Sequence, residues 1–175
     1  MSAFTYSGPV ADAVVAAKAG GAWSLWPPLG SALAATLAAT DVSGELVVPV
    51  PTDPRRRRAR GVDHTWLLAT AVARELAVPI VAALAVQPGR VDQGERPMAS
   101  RRDVPLAAFR PSRRVPRRRA ILVDDVLTTG GTAWAAAAAL RRAGAAEVVL
   151  GTVARAGRHV LGPRGAGDTS ASAPG

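Results

Sequence analysis

Asp124 and Asp125 stand side by side, and Thr128, Thr129, Gly130, Gly131 and Thr132 follow within seven residues. An apolar run, Ala120-Ile121-Leu122-Val123, precedes the acids, and an alanine-rich stretch follows the threonines. The order reads as strand, acid pair, Thr/Gly loop, helix. A loop that opens a helix offers unpaired backbone N–H groups and the positive end of the helix dipole, and together these hold a phosphate. Gly130 and Gly131 let the backbone approach the anion without a Cβ in the way. The hydroxyls of Thr128, Thr129 and Thr132 can donate to the remaining phosphate oxygens, and Thr132 is also expected to cap the helix. Carboxylates beside an anion site would repel a bare phosphate, but they accept hydrogen bonds from sugar hydroxyls. The motif therefore expects a ligand that carries a diol next to its phosphate. The plainer alternative makes Asp125 the start of a turn and a helix cap.

The elements that must position these residues can be read outwards from them. Residues 10–19, with Val14, Val15 and Lys18 on successive turns, and residues 29–39 read as helices. Leu46-Val47-Val48-Pro49-Val50 reads as a buried strand, and Pro51–Gly61, with two prolines and an arginine block, as a loop. Thr65–Leu76 reads as a helix whose inward face holds Trp66, Leu67, Ala69, Val72 and Leu76. Ile80–Val86 reads as a second strand, residues 87–105 as a long polar stretch that is either a lid or disordered, and Arg119–Asp124 as a third strand. Thr132–Ala143 is expected as a helix that ends on Arg141, Arg142 and Gly144. A last strand begins at Val148-Val149-Leu150. Strands that alternate with helices make an α/β fold with a mainly parallel sheet, whose ligands bind at the carboxyl ends of the strands. Residues 1–160 are expected as one domain, with 1–40 as an N-terminal helical hood, and 161–175 as a disordered tail.

The chain has 175 residues, 49% of them hydrophobic, so a packed core is expected. Cysteine is absent, which excludes disulfides, thiolate zinc sites and a cysteine nucleophile. No apolar run is long enough to span a bilayer and no secretory signal is visible, so the expected compartment is the cytoplasm, without membrane insertion. The net charge is +9, and Lys18 is the one lysine among 22 Lys plus Arg. The arginines cluster as Arg55, Arg56, Arg57, Arg58 and Arg60, and as Arg113, Arg114, Arg117, Arg118 and Arg119. Such blocks attract polyanions, although a GC-rich genome would also enrich arginine. His64 and His159 are the only imidazoles. A histidine that opens a helix is more often a surface or cap residue than an acid or base. The four tryptophans read mainly as packing residues, with Trp23 and Trp26 the better placed for an acceptor pocket.

Val123-Asp124-Asp125-Val126-Leu127-Thr128-Thr129-Gly130-Gly131-Thr132 resembles the phosphoribosyl-pyrophosphate (PRPP) signature of type I phosphoribosyltransferases. Val48-Pro49-Val50-Pro51, the arginine block and Arg60-Gly61 resemble the loop after the first core strand of ComF family proteins. Tyr6-Ser7-Gly8-Pro9-Val10 through Lys18 and Gly20 is similar to that family's first helix. Asp92-Gln93-Gly94 and Arg101-Arg102 through Phe109 are similar to its mobile loop. The likeness covers roughly residues 4 to 155. It departs from the family in three places. A four-cysteine zinc ribbon is missing, so the chain is either a shortened relative or starts upstream, and no zinc is expected. Val62-Asp63-His64 replaces a Phe-Asn-Gln run. An asparagine near position 104 is absent.

The resemblance implies a type I phosphoribosyltransferase-like fold and PRPP bound with Mg²⁺, the ion being held by the substrate rather than directly by protein. The 5′-phosphate would lie on Thr128–Thr132, the ribose on Asp124 and Asp125, and the pyrophosphate on Arg56 and Arg60. Gln93, Arg101 and Arg102 would belong to a lid. The implied activity is transfer of the phosphoribosyl group to an unidentified acceptor. Two other functions stay open. One is a non-catalytic competence accessory that binds single-stranded DNA beside a helicase-like partner. The other is a regulator that senses PRPP. Assembly of several copies is also left open.

Overall fold

The computed structural model describes residues 1–19, 21–40, 42–88 and 104–156, with the side chain of Arg60 set aside. Four parallel strands form the main sheet in the order β1-β6-β5-β2: β1 (Ser2–Thr5), β2 (Leu46–Pro49), β5 (Arg119–Leu127) and β6 (Glu147–Arg155). A smaller antiparallel pair joins β3 (Leu84–Val86) to β4 (Phe109–Pro111). The helices are α1 (Gly8–Ala19), α2 (Trp26–Ala39), α3 (Pro54–Arg60), α4 (His64–Glu75) and α5 (Gly131–Ala143). This is the α/β architecture with a parallel sheet flanked by helices that strand–helix alternation leads one to expect.

Side chains that alternate along each strand build two cores. Val47, Ile121, Val123 and Val153 face Val14 of α1, Trp26, Leu33 and Leu37 of α2, and Leu68 and Val72 of α4. Val48 and Leu122 face the other way, towards Ala136 and Leu140 of α5 and Leu84 and Phe109 of the small sheet. Buried on both faces, β5 and β2 have the continuous apolar runs of a parallel sheet.

Several expectations change in the structure. Pro51–Gly61 is not all loop. Asp53 accepts hydrogen bonds from the N–H groups of Arg55 and Arg56, Pro54 starts α3, and Gly61 closes it at φ 76°. Those start and stop signals outweigh the crowding of like charges between them. Ile80 makes only a single bridge to Val47, and the chain then leaves β2 to pair with β4, so the strand shrinks to three residues. β1 was not expected; Ser2–Thr5 joins the edge of β6, and the Met1 ammonium donates to the Leu150 carbonyl at 2.6 Å. Trp66 points outwards, because the buried face of α4 runs through His64, Thr65, Leu68, Ala69 and Val72. β5 continues past the acids to Leu127 through pairing with Ala154 and Arg155. Residues 89–103 and 157–175 lie outside the described residues, and with them the polar stretch from 89 to 103, His159 and the tail.

Candidate functional site

A cleft of about 320 Å³ opens at the carboxyl ends of β2 and β5. The parallel register brings three segments to its rim: the turn after β5, the start of α5, and the segment from Val50 to α3. Gly130 sits at the N-terminus of α5 with φ 85°, and no side chain caps the helix there. The expected cap, Thr132, falls inside the first turn instead, because the left-handed Gly130 starts the helix one residue earlier. Thr128, Thr129, Gly130 and Thr132 line the cleft, and Gly131 begins the helix. The first-turn N–H groups of α5 thus open towards this space, as a phosphate site requires.

Asp124 and Asp125 both line the cleft, but neighbours in a strand leave it on opposite faces. Asp125 is buried and points towards α1 and α4. Its Oδ2 is 2.6 Å from the Nζ of Lys18 and 2.9 Å from the Nε2 of His64, while its Oδ1 accepts the N–H of Val126. It lies within a strand and caps nothing, which removes the turn-and-cap alternative. Asp124 is half-buried, and its Oδ1 accepts the N–H of Asp125 at 2.9 Å. Burial, and then the charge of Asp125, push Asp124 up to about 7. Burial also pushes Asp125 upwards, but the His64 hydrogen bond and the Lys18 charge outweigh it and hold that carboxyl at about 2.

His64 is therefore not a surface or cap residue. It is 6% exposed, packs against Trp26 with ring centroids 5.3 Å apart, and leaves the capping of α4 to Asp63. The Thr65 hydroxyl stands 2.8 Å from the Val50 carbonyl oxygen and 2.9 Å from Asp63 Oδ1, so its one proton is shared between the two acceptors, which fastens the start of α4 to the end of β2. Trp26 is fully buried in this packing and offers no face to an acceptor, whereas Trp23 is 42% exposed and lies over Gly61.

Of the expected pyrophosphate contacts, Arg56 lines the cleft and is exposed, while the Arg60 side chain lies outside the described part. The lid candidates Gln93, Arg101 and Arg102 lie outside the described residues as well. Lys18 was not expected in the site. The sequence marks it as the single lysine in a chain that otherwise uses arginine and as part of the first-helix likeness, and neither signal places it beside the acids. Among the described residues no three of His, Cys, Asp and Glu come together to hold a metal ion, and no helix is long and apolar enough to cross a membrane.

A family model described as "Phosphoribosyl transferase domain" matches residues 66–169, more than half of the chain. No curated protein matches. Among solved structures, the chain is similar to the glutamine PRPP amidotransferase from B. subtilis complexed with ADP and GMP, at 25% identity and TM-score 0.50 over 71% of this chain and 25% of that one. It shares its fold with a structure of the allosteric regulatory enzyme of purine biosynthesis, at 23% identity and TM-score 0.50 over 73% of this chain and 25% of that one. The chain spans about a quarter of the length of these two proteins.

Proposed function

The chain belongs to the phosphoribosyl transferase domain family, and from that membership we propose that it is a ComF-like phosphoribosyltransferase that binds PRPP and passes the phosphoribosyl group to an acceptor nucleophile. The observation that carries this reading is the meeting, in one cleft, of the acid pair on β5 and the open first turn of α5. A sugar phosphate needs both kinds of partner at once. The N–H groups and hydroxyls from Thr128 to Thr132 would take the 5′-phosphate, the acids would take the ribose side, and Arg56 would meet the pyrophosphate. The likeness of Tyr6–Lys18 and of Val48–Gly61 to ComF proteins supports the narrower assignment.

In the reaction the bond between C1 and the pyrophosphate oxygen breaks, and its electron pair leaves with pyrophosphate. The acceptor's lone pair forms the new bond to C1, and the acceptor gives up a proton. Positive charge grows on the sugar meanwhile, and the carboxylates beneath it favour that state electrostatically. Arg56 would favour the departing anion. Asp124, Thr128 and Thr129 offer hard oxygens to the cleft beside the nitrogens of Lys18, Arg56 and His64, and oxygens of that kind suit Mg²⁺ carried on the substrate's own oxygens. Bound there, the ion would draw charge from the leaving pyrophosphate.

Calorimetric titration with PRPP and Mg²⁺ tests the reading. The native chain is expected to bind saturably, and Asp124→Asn/Asp125→Asn to lose binding while it stays folded. Absence of binding by the folded native chain would refute both the transferase and the PRPP-sensor readings. A second reading, single-stranded DNA binding by a competence accessory, draws on the exposed Arg56, Arg57 and Arg58 of α3 and on the exposed Trp23, which lies over Gly61 at the end of that helix. It predicts affinity that falls steeply with salt and does not depend on the acid pair.

A further inference from the structure

The two aspartates are not equivalent. Every oxygen of Asp125 is already engaged: Oδ1 by the Val126 N–H, Oδ2 by both Lys18 and His64. The two donors on Oδ2 come from different helices, α1 and α4, and His64 is itself wedged against the fully buried Trp26. A carboxylate held from three directions in a buried place has little freedom to turn towards a ligand. Asp124 differs. Its Oδ1 takes the next N–H in the strand, and its Oδ2 keeps no hydrogen-bond partner among the described residues.

Resting on the PRPP reading above, we propose that Lys18 and His64 clamp Asp125 as a positioning residue, and that Asp124 alone of the pair meets the ribose hydroxyls. The clamp sets the backbone at Asp124–Val126, and so the direction in which Asp124 and the following Thr/Gly turn present themselves. Lys18, whose side chain is 29% exposed at the cleft wall, also ties the N-terminal helix α1 to the site.

The test uses the full chain and two probes, Mg·PRPP and Mg·pyrophosphate, because only the first carries the sugar. Asp124→Asn is expected to weaken Mg·PRPP about tenfold or more, the loss of a hydrogen bond to a charged group. Lys18→Met and His64→Leu should each weaken Mg·PRPP severalfold and leave Mg·pyrophosphate within about twofold. Lys18→Arg and His64→Gln, which keep a donor on Oδ2, should regain most of the binding. In an Asp125→Asn background, Lys18→Met should add nothing further, since both changes act on one carboxylate. The clamp is overturned if Asp125→Asn costs as much as Asp124→Asn while Lys18→Met and His64→Leu leave Mg·PRPP unchanged, for Asp125 then touches the sugar itself. Where Lys18→Met or His64→Leu does not fold, the donor-retaining pair decides. A tenfold loss in either, at native thermal stability, means that the side chain contacts substrate directly and also overturns the clamp. A native chain that binds no Mg·PRPP removes the transferase reading, a result distinct from any of these.

Discussion

Asp124 is raised from an ordinary 3.8 to about 7 in the folded chain, so folding takes up a proton between those values. Where the folded state binds more protons than the unfolded one, stability falls as pH rises. The protein should therefore be most favoured by this group below about pH 4 and should lose its contribution progressively up to about pH 7. Asp125 works in the opposite sense. Held at about 2, it contributes fully above 3.8, and that contribution is lost as pH falls towards 2. Asp124→Asn removes the first effect and leaves the second. At pH 8 the variant should be more stable than the native chain, by roughly 1–4 kcal/mol, and so melt at a higher Tm. Thermal melts from pH 4 to 8 check this: the native Tm should decline across the range and that of Asp124→Asn should stay nearly flat. A native Tm that rises between pH 5 and 8 would contradict the burial and like-charge account. At this scale the sequence revealed the acids and the threonines, because their chemistry is written in adjacent positions. Lys18 and His64 stayed hidden as partners of Asp125, because α1, α4 and β5 come together only in the folded sheet.

Helices and strands were legible where periodicity and capping agree. β2, β5 and α5 carry apolar runs or Gly-bounded helical spacing, and each appears within a few residues of its expected limits. The misses have physical causes. β1 is four residues on a sheet edge and has no periodicity to show. α3 was concealed by its arginines, although Asp53-Pro54 and Gly61 frame it. The outward turn of Trp66 follows from what α4 packs against. Gly30 of α2 lies so close to α4 that an added Cβ would stand 2.6 Å from Ala71 Cβ and 2.7 Å from the Leu68 carbonyl oxygen. This glycine is there for contact rather than for backbone freedom. Gly30→Ala gains about 1 kcal/mol of helix propensity but meets backbone that cannot swing aside. The clash should win, with a net loss of about 1–3 kcal/mol measurable in urea unfolding. Since α4 carries His64, Gly30→Ala should also weaken Mg·PRPP. Stability equal to or above native would mean that the two helices are free to separate.

Across the whole molecule the two arginine blocks lie at opposite ends of the sheet. Arg55–Arg58 belong to α3 at the carboxyl ends of the strands, beside the cleft. Arg117–Arg119 lie at the amino end of β5, where Arg118 meets Glu45 at 3.6 Å and Arg119 meets Glu147 at 2.7 Å. The length of β5 separates them, about 25 Å at the rise of a parallel strand. The screening length at physiological salt is about 8 Å, so the far block cannot add to the field that a ligand feels in the cleft. A total of +9 therefore says little about the site, while the position of Arg56 says much. Arg56→Ala should weaken Mg·pyrophosphate about tenfold. Arg113→Gln/Arg114→Gln/Arg117→Gln should leave both Mg·PRPP and Mg·pyrophosphate within about twofold at 150 mM salt. Single-stranded DNA, a longer polyanion, can reach exposed charge anywhere on the surface, so the same triple variant reports where it lies. Loss of DNA affinity with unchanged Mg·PRPP would place DNA at the far end of the sheet, away from the phosphoribosyl chemistry. Loss of DNA affinity only in Arg56→Ala would make nucleic acid and PRPP competitors for one cleft. Weakened Mg·PRPP in the triple variant would refute the separation of the two blocks.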